Sequence, residues 1–162
     1  MEGEVRFIYS LLAYISLPIV LAWLAYRGLR EPAYRTGWGQ RLALDFRTVP
    51  SGCIWLHAAS VGEVQAAIPL IHALREEYPD KPLHVTTITP TGRERLGQLC
   101  GEEVSHSYLP LDVPGAVRRF LNRMRPEVGV ILEVELWPNL LYQLRRRRVP
   151  LFWSMDAYLN VR

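Results

Sequence analysis

Ser60-Val61-Gly62-Glu63 places a carboxylate three residues behind a hydroxyl, immediately after a short apolar run. At a helix start that spacing is a capping box, in which serine holds a first-turn amide and glutamate reaches back. Projected into a cleft, the same carboxylate is a general base for an attacking hydroxyl. The two readings conflict only in part. Glu133 and Glu135 flank Val134 after the apolar run Val128 to Leu132, and two residues apart on an extended chain they face the same way. Such a pair binds a cation, raises one pKa for acid work, or hydrogen-bonds loop amides and arginines. Thr86, Thr87, Thr89 and Thr91 with Gly92 make a hydroxyl-rich strand end suited to a phosphate at a helix N-terminus, yet neither a Walker sequence nor G-x-G-x-x-G accompanies them. His57 either orients a neighbour, binds an anion, or sits satisfied in the core. The run Arg145 to Arg148 suits a helix C-terminus or anionic headgroups.

These residues need elements to position them, and from Val49 onward short apolar runs alternate with amphipathic ones, as βα units of a parallel sheet do. Five strands are expected: Cys53 to His57, Leu83 to Ile88, Ser105 to Leu109, Val128 to Leu132 and Pro150 to Trp153. Helices are expected over Val61 to Tyr78, Pro90 to Leu99, Pro114 to Met124 and Pro138 to Arg147, three of them opening on proline, with Thr89 or Asp112 capping nearby amides. In a Rossmann-like sheet the chemistry lies beyond the C-terminal strand ends. That edge carries His57, Ser60, Gly62 and Glu63 after the first strand, Thr89, Thr91 and Gly92 after the second, and Glu133 and Glu135 after the fourth. No metal-ligand spacing is present.

The 162 residues are 49% hydrophobic and 22% charged, which suits one globular body and not a disordered chain. A net charge of +3 without a reading motif disfavours nucleic acid. Cys53 and Cys100 encode neither a disulfide framework nor a zinc site, so reduced thiols in a cytoplasmic setting are expected. Phe7 to Tyr26 holds twenty residues without a charge, about 30 Å as a helix and long enough for a bilayer core. The next residues, Arg27-Gly28-Leu29-Arg30-Glu31-Pro32, form no signal-peptide cleavage site. Arg27, Arg30, Arg35, Arg41 and Arg47 come after the run while only Arg6 precedes it, which by the positive-inside tendency puts the body in the cytoplasm.

In order, Trp55 to Glu63 (WLHAASVGE), Thr86 to Gly92 (TTITPTG), Tyr108 to Asp112 (YLPLD), Arg118 to Leu121 (RRFL) and Glu133 to Asn139 (EVELWPN) strongly resemble the N-terminal half of the 3-deoxy-D-manno-octulosonic acid (Kdo) transferases of lipopolysaccharide synthesis. The likeness includes the uncharged N-terminal run and the segment Ala33 to Arg41 behind it. It implies a GT-B glycosyltransferase of two Rossmann-like domains, with residues 1–30 as a single-pass inner-membrane anchor and 31–162 as the acceptor-binding domain on the cytoplasmic side. The donor domain, which would hold CMP-Kdo, is then absent from this chain, and the chain alone is expected to be inactive. By the resemblance, Glu63 is the catalytic base acting on the lipid A precursor (lipid IVA) with inversion, Glu133 a second important carboxylate, and neither metal nor cofactor is required. Gln40, where many members have glutamate, and Asp156-Ala157-Tyr158-Leu159-Asn160, where many read N-A-R-L-S, depart from the pattern. Two other readings are a non-catalytic, membrane-anchored lipid-binding module and a soluble nucleotide-binding domain whose first helix belongs to the core.

Overall fold

The alternation of short apolar and amphipathic segments folds into a five-stranded parallel sheet. The structure is a computed structural model and describes residues 2–45, 49–101, 103–132 and 137–154. In chain order it contains α1 (Glu2–Arg30), a 3-10 turn (Pro32–Arg35), α2 (Trp38–Arg41), β1 (Ile54–His57), α3 (Val61–Glu77), β2 (Leu83–Thr87), α4 (Pro90–Cys100), β3 (Ser105–Tyr108), α5 (Pro114–Met124), β4 (Val128–Leu132), α6 (Pro138–Arg146) and β5 (Leu151–Ser154). The strands lie in the order β3-β2-β1-β4-β5, and all four pairings are parallel. The order reverses between β1 and β4, and the crevice of such a sheet opens at that point, beyond the C-terminal strand ends.

Side chains alternate along β1 and so feed two cores. Ile54 and Leu56 join Val64, Ala67 and Ile71 of α3 and Leu96 of α4. Cys53 and Trp55 join Phe120, Leu121 and Met124 of α5 and Leu140 and Leu144 of α6. Both cysteines are free and buried, and burial pushes the Cys53 thiol up to about 12. The sheet interior is also stitched by polar groups. Trp55 Nε1–H donates to Thr86 Oγ1 at 2.9 Å, and His84 lies between Ser105 Oγ at 2.9 Å and Ser107 Oγ at 3.0 Å. Burial, reinforced by His106, pushes His84 down to about 3, so this imidazole is neutral at ordinary pH.

Two helix starts agree with expectation and one does not. Ser60 accepts from Glu63 N–H at the start of α3, and Thr89 accepts from Gly92 N–H at the start of α4. Asp112, expected to cap nearby amides, instead reaches across to α6: Oδ2 accepts from Asn139 N–H at 3.0 Å and Oδ1 from Leu140 N–H at 2.9 Å. The N-cap residue of α5, Val113, makes no side-chain cap, and Pro114 removes one of the donors that would need one.

The uncharged N-terminal run becomes part of a longer helix, 29 residues, continuous through Pro18. It is apolar and long enough to cross a membrane. It also packs on the body. Tyr9 Oη donates to Asp112 Oδ2 at 3.0 Å, Ser10 Oγ to Asn139 Oδ1 at 2.8 Å, and Gly115 N–H donates to Tyr14 Oη at 3.0 Å. At the other end Arg35 Nε–H donates to Gly28 O at 2.7 Å.

Candidate functional site

The chain leaves β1 through Ala58 and Ala59 and enters α3 at Ser60. This turn is tied to the one after β2, because Ala59 O accepts from Ile88 N–H at 3.2 Å and Thr89 N–H at 3.4 Å. Gly92 permits the close seating of α4. A Cβ there would stand 3.0 Å from Thr89 Oγ1 and 3.5 Å from the Ser60 carbonyl carbon. Two helix N-termini, of α3 and α4, therefore stand side by side at the C-terminal edge of the sheet, with their positive dipole ends toward the crevice.

Glu63 occupies the first turn of α3 and is half-buried. Its Oε2 accepts from Ala59 N–H at 2.8 Å and its Oε1 from Ser60 Oγ–H at 2.8 Å, while Glu63 N–H donates to Ser60 Oγ at 3.3 Å. The capping box is therefore formed, with the carboxylate reaching one residue further back than the usual return contact. An ionised carboxylate offers about four acceptor positions, and the cap takes one on each oxygen. Capping thus fixes the direction of the group and leaves acceptor capacity facing outward. Beside it Gly62 is exposed, and a Cβ there would meet only Ser60 Oγ at 3.9 Å. The surface over this turn is bare enough for a ligand to approach the backbone.

The other sequence-derived residues divide. Thr89 and Thr91 sit at the start of α4, Thr91 exposed and Thr89 engaged with Gly92 N–H at 3.1 Å. His57 is fully enclosed, with Nδ1 2.9 Å from Thr86 Oγ1 and 3.1 Å from Thr86 O, so these contacts tie β1 to β2. Thr86 and Thr87 are likewise interior and do not line the edge. Glu133 and Glu135 lie outside the described residues, as do residues 155–162, which include the Asp156 departure. Among the described residues no three His, Cys, Asp or Glu side chains converge as a metal ion would require.

Three features are not apparent from the sequence. Arg41, one of the arginines of the positive-inside excess, is buried: its Nη2–H donates to Ile88 O at 2.7 Å and its guanidinium lies 4.0 Å from the centre of the Tyr108 ring. Burial pulls it below its ordinary value, with Tyr108 and Tyr34 opposing. Arg93 approaches the same ring at 5.2 Å, so Tyr108 carries two cations beside the β2 and β3 ends. Gln40 is also buried, its Oε1 accepting from Tyr108 N–H at 3.2 Å. A neutral amide meets that backbone donor without placing a second charge inside.

The second such feature is the Arg145 to Arg148 run, which is only partly a surface patch. Arg147 Nη2–H donates to Asn122 Oδ1 of α5 at 2.7 Å. The third is a groove of about 490 Å³ between α1 and the body, walled by Leu12, Ser16 and Val20 on one side and Leu111, Val113 and Trp137 on the other. Its lining is mostly apolar, and it runs beside the segments that leave β3 and enter α6.

Residues 36–158 match the family described as 3-deoxy-D-manno-octulosonic-acid transferase (kdotransferase). A 3-deoxy-D-manno-octulosonic acid transferase of Haemophilus influenzae is 40% identical over 159 residues, 97% of this chain and 37% of that protein. The probable mitochondrial 3-deoxy-D-manno-octulosonic acid transferase of Arabidopsis thaliana is 34% identical, over 89% of this chain and 32% of its own length. A transferase of the same name from Bordetella pertussis is 46% identical over 60% of this chain and 24% of its own length. The chain thus spans about a third of the first two relatives and about a quarter of the third.

Proposed function

Because this chain belongs to the 3-deoxy-D-manno-octulosonic acid transferase family, we propose that its crevice edge is the acceptor side of a GT-B enzyme that moves Kdo from CMP-Kdo to a lipid A precursor. Residues 31–162 form the acceptor-binding domain, and a second Rossmann-like domain holds the donor. Glu63 removes the proton from an acceptor hydroxyl as its oxygen bonds to the anomeric carbon of Kdo. CMP leaves from the opposite face with the bonding electron pair, giving inversion. Glu133 serves as a second carboxylate in the reaction. Gly62, Thr89 and Thr91 line the acceptor side, where Gly92 lets α4 seat closely, and Glu135 adds a further carboxylate for the acceptor.

The observation that carries the reading is the state of Glu63. It is half-buried at the switch edge, aimed by two donors and still able to accept a proton or a third hydrogen bond. Preset orientation is a large part of what a general base contributes, because the reacting atoms must meet at roughly 3 to 3.5 Å. The apolar groove beside α1 supports a lipid acceptor, since acyl chains find a mostly apolar wall next to the site. Such an acceptor places the body at the cytoplasmic face of an inner membrane.

The test is transfer from CMP-Kdo to lipid A precursor by the chain alone, by the chain joined to a donor domain, and by the joined form carrying Glu63→Gln. Activity confined to the joined wild type is the expected result. Full activity of Glu63→Gln leaves Glu63 as a cap alone. Acceptor lipid bound without transfer in a folded, joined protein favours a non-catalytic lipid-binding module, the reading to which the groove also lends itself.

A further inference from the structure

The sequence alone suggests that the first helix crosses the bilayer. We propose instead that α1 lies in the plane of the membrane, docked along the body, with its outer face sunk into one leaflet of a membrane bearing anionic lipid.

The pattern of cover along the helix carries this. Residues that are buried or half-buried recur at spacings of three and four from Arg6 to Gly28, a span of about 33 Å at 1.5 Å per residue. That is the full thickness of a hydrocarbon core, about 30 Å. A crossing helix would show a covered end and a bare remainder, with only its cytoplasmic turns touching a cytoplasmic body. Here the chain's own body meets it toward both ends, with the groove between. Arg6 lies 3.8 Å from the Tyr142 ring centre near one end, Tyr9, Ser10 and Tyr14 hold Asp112, Asn139 and Gly115 N–H, and Leu24 and Gly28 are buried toward the other end.

Crossing would carry those contacts into hydrocarbon. Tyr14 stands within about 4 Å, along the axis, of the midpoint of Phe7 to Tyr26. Its partner Gly115 is in the first turn of α5, and the exposed Arg118 and Arg119 come within one turn of it. Lipid-exposed arginines are what the core of a bilayer excludes.

The opposite face fits a leaflet. Phe7, Ile8, Leu11 and Leu29 are each at least half exposed and lie clear of the groove, and Trp23 and Tyr26 flank this face. This face runs the length of the helix with no charge between Phe7 and Tyr26. Cations stand at both ends: Arg6 and Arg146 approach the Tyr142 ring at one, and Arg30 stands at the other beside Arg27, which pairs with Glu31 at 3.1 Å. An apolar face with cations at both ends matches a helix lying at an anionic interface, where its ends meet headgroups on the same side. The inference goes beyond the transfer reaction and is tested without any transfer assay.

The test places single cysteines at Glu2→Cys and Arg30→Cys in the full chain, expressed in a Gram-negative host, and treats spheroplasts and inverted membranes with an impermeant maleimide. The unsubstituted chain corrects for Cys53 and Cys100. Both introduced cysteines are expected to react in inverted membranes and neither in spheroplasts. Reaction of Glu2→Cys in spheroplasts overturns the proposal. Membrane residence of a Ser10→Cys, Asn139→Cys pair after disulfide formation shows the helix docked and bound together; loss of residence on cross-linking overturns it. The exposed-face variant Phe7→Ser, Ile8→Ser, Leu11→Ser is expected to keep its circular dichroism and move at least tenfold toward the soluble fraction. Unchanged residence of that variant also overturns the proposal.

Discussion

Among the described residues two carboxylates hold helix N-termini, and they work at different range. Glu63 closes a box with residues three and four positions away, and it stays only half-buried at the crevice edge. Asp112 is 8% exposed and takes two amides of α6, more than twenty-five positions along the chain, and the Tyr9 hydroxyl of α1. Burial raises the Asp112 pKa against the pull of those donors, so part of its hydrogen bonding offsets its own desolvation. One device thus serves two ends. A local cap leaves lone pairs for a substrate, while a long-range cap commits nearly all of them to joining three elements.

The largest expected effect breaks that contrast at Glu63. In a joined, two-domain enzyme Glu63→Gln should lower kcat by about 10²- to 10⁴-fold, the usual contribution of a positioned base. Its stability should hardly change, because the amide oxygen still accepts from Ala59 N–H. Equal losses of rate and stability would make Glu63 a second Asp112. At Asp112 the order reverses. Asp112→Ala strands two buried amides and the Tyr9 hydroxyl, and should cost about 2–4 kcal/mol in denaturant unfolding. A cost below about 1 kcal/mol would mean that water replaces the carboxylate and that α1 is held by its apolar stripe.

The pH dependence of unfolding sharpens the same comparison. A carboxylate whose folded pKa is raised binds its proton more readily folded than unfolded. Its contribution is therefore fully present below the ordinary aspartate value and is lost as pH rises through the raised one. His84 has the opposite sign. Its folded pKa of about 3 lies below the ordinary value of 6.5, so its contribution is present above 6.5 and is lost as pH falls toward 3. Wild type should lose stability on acidification from pH 6.5, and Asp112→Asn should lose it more steeply near the lower end, where wild-type Asp112 takes up its proton. Parallel curves would show that Asp112 titrates alike folded and unfolded.

How much of the fold and site is legible in the sequence depends on the range of each interaction. The β4 strand Val128–Leu132 and the α5 helix Pro114–Met124 match the expected limits, and the other sheet strands end within about one residue of expectation. Apolar period and opening prolines are local signals. So is the Ser60 to Glu63 box. Asp112 reads as a cap for amides near it because nothing local ties it to Asn139. Arg41 reads as a free charge because a tally of cations cannot see Tyr108 closing over one of them. The docking of α1 does have a local signal: Tyr9, Ser10, Ala13 and Ser16 put hydroxyls and a methyl on one face of an otherwise bulky run. Hydropathy averages over that face.

The smallest expected effect separates the two jobs inside the local cap itself. Ser60→Ala removes the hydroxyl that accepts from Glu63 N–H at 3.3 Å and donates to Oε1 at 2.8 Å. The first of these is long, so the loss should sit near the middle of the usual range for a cap, about 1 kcal/mol. The counterpart of the second at Asp112 is the Tyr9 hydroxyl, which belongs, like the tethering amides, to another helix. With the hydroxyl gone, Glu63 keeps the Ala59 N–H tether but gains freedom to turn. Transfer by the joined enzyme should then fall by less than about tenfold, far short of Glu63→Gln, since misalignment removes part of a base's advantage and leaves the carboxylate itself in place. A Ser60→Ala loss as large as that of Glu63→Gln would assign the acceptor contact to the serine hydroxyl and make the carboxylate its orienting partner.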